Sequence, residues 1–511
     1  MDAYTSLLAL AVALLSYSLY HVCNTFYWHP LARFPGPPLA ALTRFYRAYI
    51  DISLNHSFVH HLGELHGKYG DVIRIGPNEL HFRSPAAYLE IFSPANRWDK
   101  EERLYHSFGE DRSSFGYLRY AEAKERKDIL SRRFSRKAVQ EAQKIVESIV
   151  SMTIFILDLC KTLAQNSSAP VDLFYAFRCM SVDVITYLCF ANSVNAVQAP
   201  NYESPLLLAM DASMAVFPAF KHFSFYKEMI MNCPPKLSKI LSPATAGLVD
   251  LQTWRQLLKA QIEDLTSDPS KLEKLPHNTT IYHELLRPEA YRTNTQPSKG
   301  SLYEESQALM FGGADTTGMT LMHGCFYILQ EKASGIYERL KRELVEAWPS
   351  LDGPAPTWEE LERLPYLTAV IKESLRMSPG VVSPLPRVVP RSGATITQTH
   401  VPGGTIVSHS SHFVHSNPDI FEDAHSFIPE RWLGEKGKLL DKWLLAFSRG
   451  PRSCLGQQLA WAELYLTYGH VFRKFDLQID SSSPKELKWK DTFLAHYFGP
   501  HLKAKLTPVK T

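Results

Sequence analysis

A single cysteine stands where a glycine- and proline-rich loop runs into a strong helix former. The loop is Phe447-Ser448-Arg449-Gly450-Pro451-Arg452-Ser453-Cys454-Leu455-Gly456, and Gln457-Gln458-Leu459-Ala460-Trp461-Ala462-Glu463-Leu464 follows at once. Cys454 therefore lies at a helix start, where unpaired backbone N–H groups and the positive end of the helix dipole favour a thiolate. Gly450 permits a backbone conformation closed to other residues. Gly456 leaves room for a flat body to approach the helix. Arg452 can pair with a carboxylate on the rim of such a body. As an axial ligand to iron, a thiolate donates electron density that favours O–O cleavage. A merely structural cysteine needs none of this constellation.

The other cysteines stand at 23, 160, 179, 189, 233 and 325, with no CxxC pair. That thin spread suits a reducing compartment and small buried apolar residues rather than a disulfide framework. With 511 residues and 45% hydrophobic content, the chain can bury a large core. A net charge of +3, with no basic run interleaved with aromatics, gives no reason to expect nucleic acid as a partner.

After Asp2 no charged residue occurs until Arg33. The apolar run that opens at Leu7, extended to Trp28, can span a hydrocarbon core roughly 30 Å thick. Tyr17, Tyr20, Tyr27 and Trp28 suit an interface belt. A cleaved signal peptide is the alternative, but there is no basic leading region and no small-x-small cleavage site. Residues 1–32 are therefore read as an uncleaved anchor and 33–511 as the catalytic domain. Arg33, Arg44 and Arg47 follow the span, which leaves the body in the cytosol. The sequons at Asn166 and Asn278 are then chance matches.

Phe34-Pro35-Gly36-Pro37-Pro38 reads as a stiff connector. Strands are expected at 72–75 and 79–82, around Gly76-Pro77-Asn78. Helical periodicity covers 138–163, 181–190, 248–265, 302–331, 334–347 and 358–376. Further strands are expected at 394–397 and 405–408, with Pro402-Gly403-Gly404 as the turn. Residues 475–479 and 501–506 form a terminal hairpin. No Gly/Ser linker divides this body, so the fold class is one large, mainly α domain with small β patches.

Gly312-Gly313-Ala314-Asp315-Thr316-Thr317 falls inside the 302–331 helix, where each glycine costs roughly 1 kcal/mol relative to alanine. A close helix crossing would explain the pair. Beside Cys454, an opened face explains it better: Thr316 can bond back to the carbonyl of Gly312, loosening the ladder into a niche for a small ligand such as dioxygen. Asp315 and Thr316 could then relay protons. Glu373-Ser374-Leu375-Arg376 places a carboxylate and a guanidinium on one helix face, a common surface pattern when taken alone. Phe427-Ile428-Pro429-Glu430-Arg431-Trp432 supplies another arginine, and sequence cannot show whether Arg431 meets Glu373.

In this order and spacing, the Cys454 loop, Gly-Gly-x-Asp-Thr-Thr, Glu-x-x-Arg and Pro-Glu-Arg-Trp resemble the cytochrome P450 family over essentially the whole chain. His29-Pro30-Leu31, Asp71-Val72-Ile73-Arg74-Ile75 and Phe134-Ser135 are similar to its fungal microsomal, trichodiene-oxygenase-like members of secondary metabolism. The resemblance implies a cytochrome P450 fold and haem b ligated by Cys454, with Phe447, Gly450 and Gly456 around it. It implies oxygen activation at Asp315 and Thr316, a structural Glu373–Arg376–Arg431 cluster, and haem propionates met by Arg452 and Arg387. It further implies electrons from NADPH–cytochrome P450 reductase, a small lipophilic substrate, and a single-pass place in the endoplasmic reticulum membrane. One departure is clear: an early helix of such proteins carries His or Trp and then Arg four residues on, where this chain has Ala123 and Lys127. In those proteins both residues reach a haem propionate; Lys127 is the cofactor-binding residue expected there, keeping the charge without arginine's planar fork, while Ala123 offers no hydrogen bond. A milder one is Phe421-Glu422-Asp423-Ala424, where proline is the commoner ending.

The resulting reading is an NADPH-dependent monooxygenase that hydroxylates or epoxidises a lipophilic natural product, a terpenoid first. Its pocket would be lined by residues 107–117, Leu309, Gly313, Ser383-Pro384-Leu385 and Phe493-Leu494. A thiolate-haem isomerase or dehydratase and a non-catalytic haem sensor or electron carrier are the rivals. The intact Asp315-Thr316 pair argues against the first, and the glycine-opened helix against the second.

Overall fold

The computed structural model describes residues 3–151, 170–214, 216–234, 237, 240, 246–330 and 335–509. Through the body's centre run the helices Lys299–Ala314 and Thr316–Gln330. The sequence predicts one helix here. The ladder breaks at Asp315 instead, and Thr316 Oγ1 donates to the Gly312 carbonyl at 3.0 Å, as the back-bonding argument requires.

Helix Leu173–Phe190 crosses this pair and begins earlier than the expected 181. It is apolar enough to cross a membrane, yet it is the buried core helix of the body. Its close approach corrects the reading of the two glycines. A Cβ on Gly313 would lie 2.6 Å from Ile185 Cγ1, so Gly313 serves the helix crossing. At Gly312 the same construction meets nothing within 4 Å, so Gly312 alone opens a face.

Pro365 splits the expected 358–376 helix into Trp358–Glu362 and Pro365–Met377, because proline starts a helix readily but cannot continue one. The 248–265 reading sits inside Ala246–Ser267. The 334–347 helix starts at Ile336, after Gly335 in a left-handed conformation. Of the 138–163 run, Arg136–Glu141 and residues 143–151 are helical; residues 152–163, with Cys160 and the Asn166 sequon, lie outside the described residues. Cys179, Cys189 and Cys325 are buried as expected, whereas Cys23 and Cys233 are only half-buried.

The largest sheet orders its strands Val72–Gly76, Glu79–Phe82, Ile406–His409, Leu385–Val388, Asp99–Lys100. Its register sets Lys100 opposite Arg387. Ala394–Ile396 pairs with Thr399–Val401, not with the strand beyond Pro402-Gly403-Gly404, because the chain turns earlier at Thr397-Gln398, both at positive φ. The tail pairs Phe475–Ile479 with Lys503–Pro508, and Val171–Asp172 adds a third strand. Between those tail strands stands a hairpin the sequence did not announce, Trp489–Thr492 with Leu494–Tyr497. It carries Phe493 to the central cavity.

At the other end, helix Ala3–Cys23 continues through Asn24–Trp28. The apolar span runs from Tyr4 to Trp28; residues 4–22 are exposed, whereas Thr25 near its end is buried and its carbonyl accepts from Arg74 Nη1 at 2.9 Å.

Candidate active site

Helix Gln457–Lys474 begins just after Cys454, with Gly456 at its cap. The backbone N–H of Cys454 donates to the Phe447 carbonyl at 2.9 Å, closing the loop into a knuckle. Gly450 takes φ +72°, and a Cβ there would sit 2.6 Å from the Phe92 carbonyl oxygen, so no other residue fits. A Cβ on Gly456 would meet nothing within 4 Å, which leaves that face clear. The open surface of Cys454 faces an internal cavity rather than bulk water. Burial raises the thiol's pKa, and the Gly456 N–H and the Lys127 ammonium pull it down.

That cavity, of about 420 Å³, runs from Cys454 past Gly312 and Thr316 to Phe108, Phe217 and Phe493. Ser107, Phe108, Ser114, Phe115, Leu309, Gly313, Leu385 and Leu494 line it as the sequence suggested. Ser383 and Pro384 do not, and the Ser383 hydroxyl bonds Asp491 instead.

Four cations converge near the cysteine end. Arg387 Nη1 donates to Tyr105 Oη at 2.7 Å. Arg452 donates to the carbonyls of Tyr117 and Leu118 at 3.0 and 2.9 Å, and its buried Nε has no partner. Lys100 donates to the Phe115 carbonyl and lies 4.0 Å from the Tyr105 ring centroid. Burial, then repulsion from Arg452, Arg387 and Lys127, holds the Lys100 ammonium well below its ordinary pKa. Burial and Arg387 likewise bring Arg452 down to about 10. Among the described residues none of these cations is in an ion pair. A buried, mutually repelling cluster with an orphaned guanidinium N–H is built for anionic groups. These residues fit a flat iron macrocycle with two carboxylates: Cys454 would hold its metal, the cations would meet its carboxylates, and Gly456 leaves room beside the sulfur.

Lys100 was missed in the sequence, where it stands in a short, exposed-looking Asp-Lys-Glu-Glu run. Its strand register opposite Arg387 is the only clue, and that register is tertiary. Lys127, expected at a propionate, also reaches the cysteine loop. Its Nζ donates to the Ser453 and Pro451 carbonyls at 2.6 and 3.2 Å, and so holds the cysteine loop from below. Ala123, one turn earlier, is buried against the cavity wall and offers no hydrogen bond.

Asp315 and Thr316 both line the cavity. Asp315, however, is gripped by Arg178, whose Nε donates to Oδ1 at 2.7 Å. The same guanidinium holds Asp211 at 2.7 and 3.0 Å, and Asp211 is partly open to solvent. Burial raises the pKa of Asp315 and Arg178 lowers it.

Glu373 meets both arginines. Its carboxylate accepts from Arg376 at 2.8 and 2.7 Å, from Arg431 at 3.1 Å and from the Trp432 indole at 2.8 Å. Arg376 also donates to the His415 and Ala424 carbonyls at 2.8 and 2.6 Å, so the place usually held by proline needs only its carbonyl. His415 completes the link: its Nε2 accepts from the Leu445 N–H at 2.9 Å, two residues before Phe447. Burial, and the Arg376 charge, lower its pKa to about 3, so the ring is neutral and able to accept. Sequence reasoning passed over this histidine.

The cytochrome P450 family model matches residues 37–500. The cytochrome P450 monooxygenase flvC of Aspergillus flavus is 33% identical over 516 aligned positions, covering 94% of this chain and 92% of that protein. Conidiogenone synthase PchP450 of Penicillium rubens is 31% identical over 88% of each chain. The cytochrome P450DA haem domain, known from a crystal structure, shares the fold at TM-score 0.72, covering 93% of this chain and 98% of that one at 15% identity. A cysteine knuckle opening on a cation-rimmed cavity, matched from the connector to the terminal hairpin by one family and by its fungal monooxygenases, places this chain in the cytochrome P450 family.

Proposed function

We propose that this haem-thiolate monooxygenase takes electrons from NADPH through a membrane-bound NADPH–cytochrome P450 reductase and inserts one atom of dioxygen into a lipophilic natural product, a terpenoid first. The observation that carries the proposal is the shared cavity: Cys454, Thr316 and a cluster of phenylalanines face one internal space. Haem b held there would supply dioxygen activation, as thiolate ligation favours O–O cleavage.

The chain's own residues have distinct tasks in this reading. Cys454 would ligate the haem iron. Arg387 and Arg452, joined by Lys100, would hold the propionates. Lys127 fixes the carbonyls of the cysteine loop and sets a positive charge beside the sulfur. Phe447, Gly450 and Gly456 shape the sulfur's side of the pocket. Thr316, bonded to the Gly312 carbonyl, presents a hydroxyl at the gap in the helix ladder, and Asp315 hands on protons from the Arg178–Asp211 side. Glu373, Arg376 and Arg431 dock the loop on the core. Phe108, Phe217 and Phe493 exclude water and hold an apolar scaffold.

The N-terminal helix would anchor the protein in the endoplasmic reticulum membrane by a single pass, with the body in the cytosol. Leu39, Phe45, Ile52, Leu54 and Phe225 are exposed near that end of the chain or in elements packed beside it, which suits a body resting on the bilayer.

The test is turnover of the purified full chain with reductase and NADPH under isotopically labelled dioxygen. The product should gain one labelled oxygen, and Cys454→Ala should lose the thiolate spectrum of the reduced carbon monoxide complex. A product free of label would assign the isomerase or dehydratase reading instead.

A further inference from the structure

Three carboxylates gather at the helix Lys299–Ala314 beside the cavity, Glu304 and Glu305 on the helix itself and Glu110 packed against it. Two are neutralised by the protein. Glu304 accepts from Arg112 Nε at 2.9 Å and from its backbone N–H at 2.6 Å. Glu305 accepts from Arg126 Nη1 at 2.9 Å and from Ser114 through its N–H and hydroxyl at 2.7 and 2.6 Å. The third, Glu110, lies beyond the turn His106–Phe108 and lines the cavity while only 4% exposed. Among the described residues it forms no ion pair.

Its side chain takes one hydrogen bond, from Gln307 Nε2 at 3.1 Å. The direction of that bond is set from behind: Tyr303 Oη donates to Gln307 Oε1 at 2.7 Å, which turns the amide NH2 toward Glu110. Glu110 Oε1 is therefore an acceptor. Burial raises this carboxyl to about 8; the Gln307 bond and the Arg255 guanidinium pull it down, and Glu305 and Glu304 push it up. It is neutral under ordinary conditions, and with Oε1 accepting, the acid proton belongs on Oε2. No described residue accepts from Oε2. A buried O–H donor without an acceptor is costly, and a site that holds one rejects ligands that leave it unpaired.

We propose that Glu110, oriented by Gln307 and Tyr303, is the polar anchor of the cavity and receives a hydrogen-bond acceptor, a carbonyl or hydroxyl oxygen or a basic nitrogen, on an otherwise lipophilic substrate. The inference rests on the reading of this cavity as the substrate site. Gln307 stands five residues before Gly312, about 7.5 Å along the helix axis, so the anchored group is held away from the glycine gap. The carbon presented at the gap is then a remote, unactivated one. A substrate of this kind already carries oxygen or nitrogen when it arrives. The reaction that supplies it is thus an earlier oxygenation or amination of the skeleton, and a bare hydrocarbon is a poor ligand.

Calorimetric titration of the haem-loaded full chain tests this with three probes of one skeleton: decalin, decalone and N-methyldecahydroquinoline. Wild type should bind the ketone and the amine about tenfold more tightly than the hydrocarbon. Glu110→Leu should abolish that preference while binding decalin at least as well. Glu110→Gln, which keeps a donor but no acid, should retain the preference for the ketone and lose that for the amine. A Glu110→Leu protein that binds decalin yet still prefers the polar probes would overturn the anchor. If wild type binds none of the three, the substrate reading of the cavity falls, and the anchor with it.

Discussion

Arg178 Nε lies 2.7 Å from Asp315 Oδ1, so the acid beside Thr316 is held by a buried cation rather than standing free in the cavity. Because the same guanidinium binds the partly exposed Asp211, the two carboxylates and the arginine form a bridge from the cavity toward solvent. Asp315→Asn keeps the shape and removes the proton-handling group. It should lower turnover about 100-fold with normal haem content and a larger solvent deuterium isotope effect. Arg178→Met strands the buried Asp315 carboxylate without its cation, beside the partly exposed Asp211, and should cost about 3–5 kcal/mol in denaturant unfolding.

Thr316 is half-buried and its hydroxyl bonds the Gly312 carbonyl. Thr316→Ala should retain the fold and substrate binding but divert reducing equivalents to peroxide, read as product formed per NADPH consumed. Thr316→Ser should recover coupling. Normal coupling in the alanine variant would reduce Thr316 to a helix-bending residue.

The glycine pair, the cysteine loop and the connector were legible because each breaks a local rule. Glycines inside a helix, a cysteine after Gly-Pro-Arg and a proline-rich connector all carry a cost that local structure does not repay. Lys100, Glu110, His415 and Arg178 break no such rule. Lys100 sits in a charged run, His415 in an ordinary helix turn, and each gains its role from burial and from a partner 30 or more residues away. The same reason explains the strand exchange at Thr399–Val401 and the unannounced hairpin around Phe493, which are set by pairing partners rather than by their own pattern. Gly313 shows the converse: its sequence context matched an opened face, and only the position of Ile185 reveals a crossing.

Glu373 is fully buried with two arginines, and His415 carries the order of that cluster to Leu445. Glu373→Gln should cost about 3–5 kcal/mol, since it leaves buried guanidinium groups without a counter-charge. His415→Phe should cost about 1–3 kcal/mol for the stranded Leu445 N–H, with part of the reduced carbon monoxide complex losing its thiolate spectrum. Acid sensitivity follows from the same ring. His415 and His323 have folded-state pKa values near 3, below the ordinary 6.5, because burial disfavours the charged form. Their contribution to stability is present above pH 6.5 and is lost as the pH falls from there toward 3. Each such histidine adds a slope approaching about 1.4 kcal/mol per pH unit in that window. Unfolding free energy measured between pH 7 and 5 should fall accordingly, and His415→Phe should reduce the slope.

Lys100 and Lys127 are both lysines at the cavity's cationic end, yet their contacts separate their duties. Lys100 lies in the strand opposite Arg387 and faces the same space as Arg452. Lys127 spends its donors on the Ser453 and Pro451 carbonyls. Lys100→Met should therefore weaken haem retention, measured as haem per protein after gel filtration, while the spectrum of the fraction that keeps haem stays normal. Lys127→Met should do the reverse: haem content near normal, with a shifted thiolate spectrum and readier loss of the ligand as a neutral thiol, because the charge that favours the thiolate is gone. Equal loss of haem from both would mean that Lys127 turns to a propionate once haem is bound, and the loop-holding role would have to be given up.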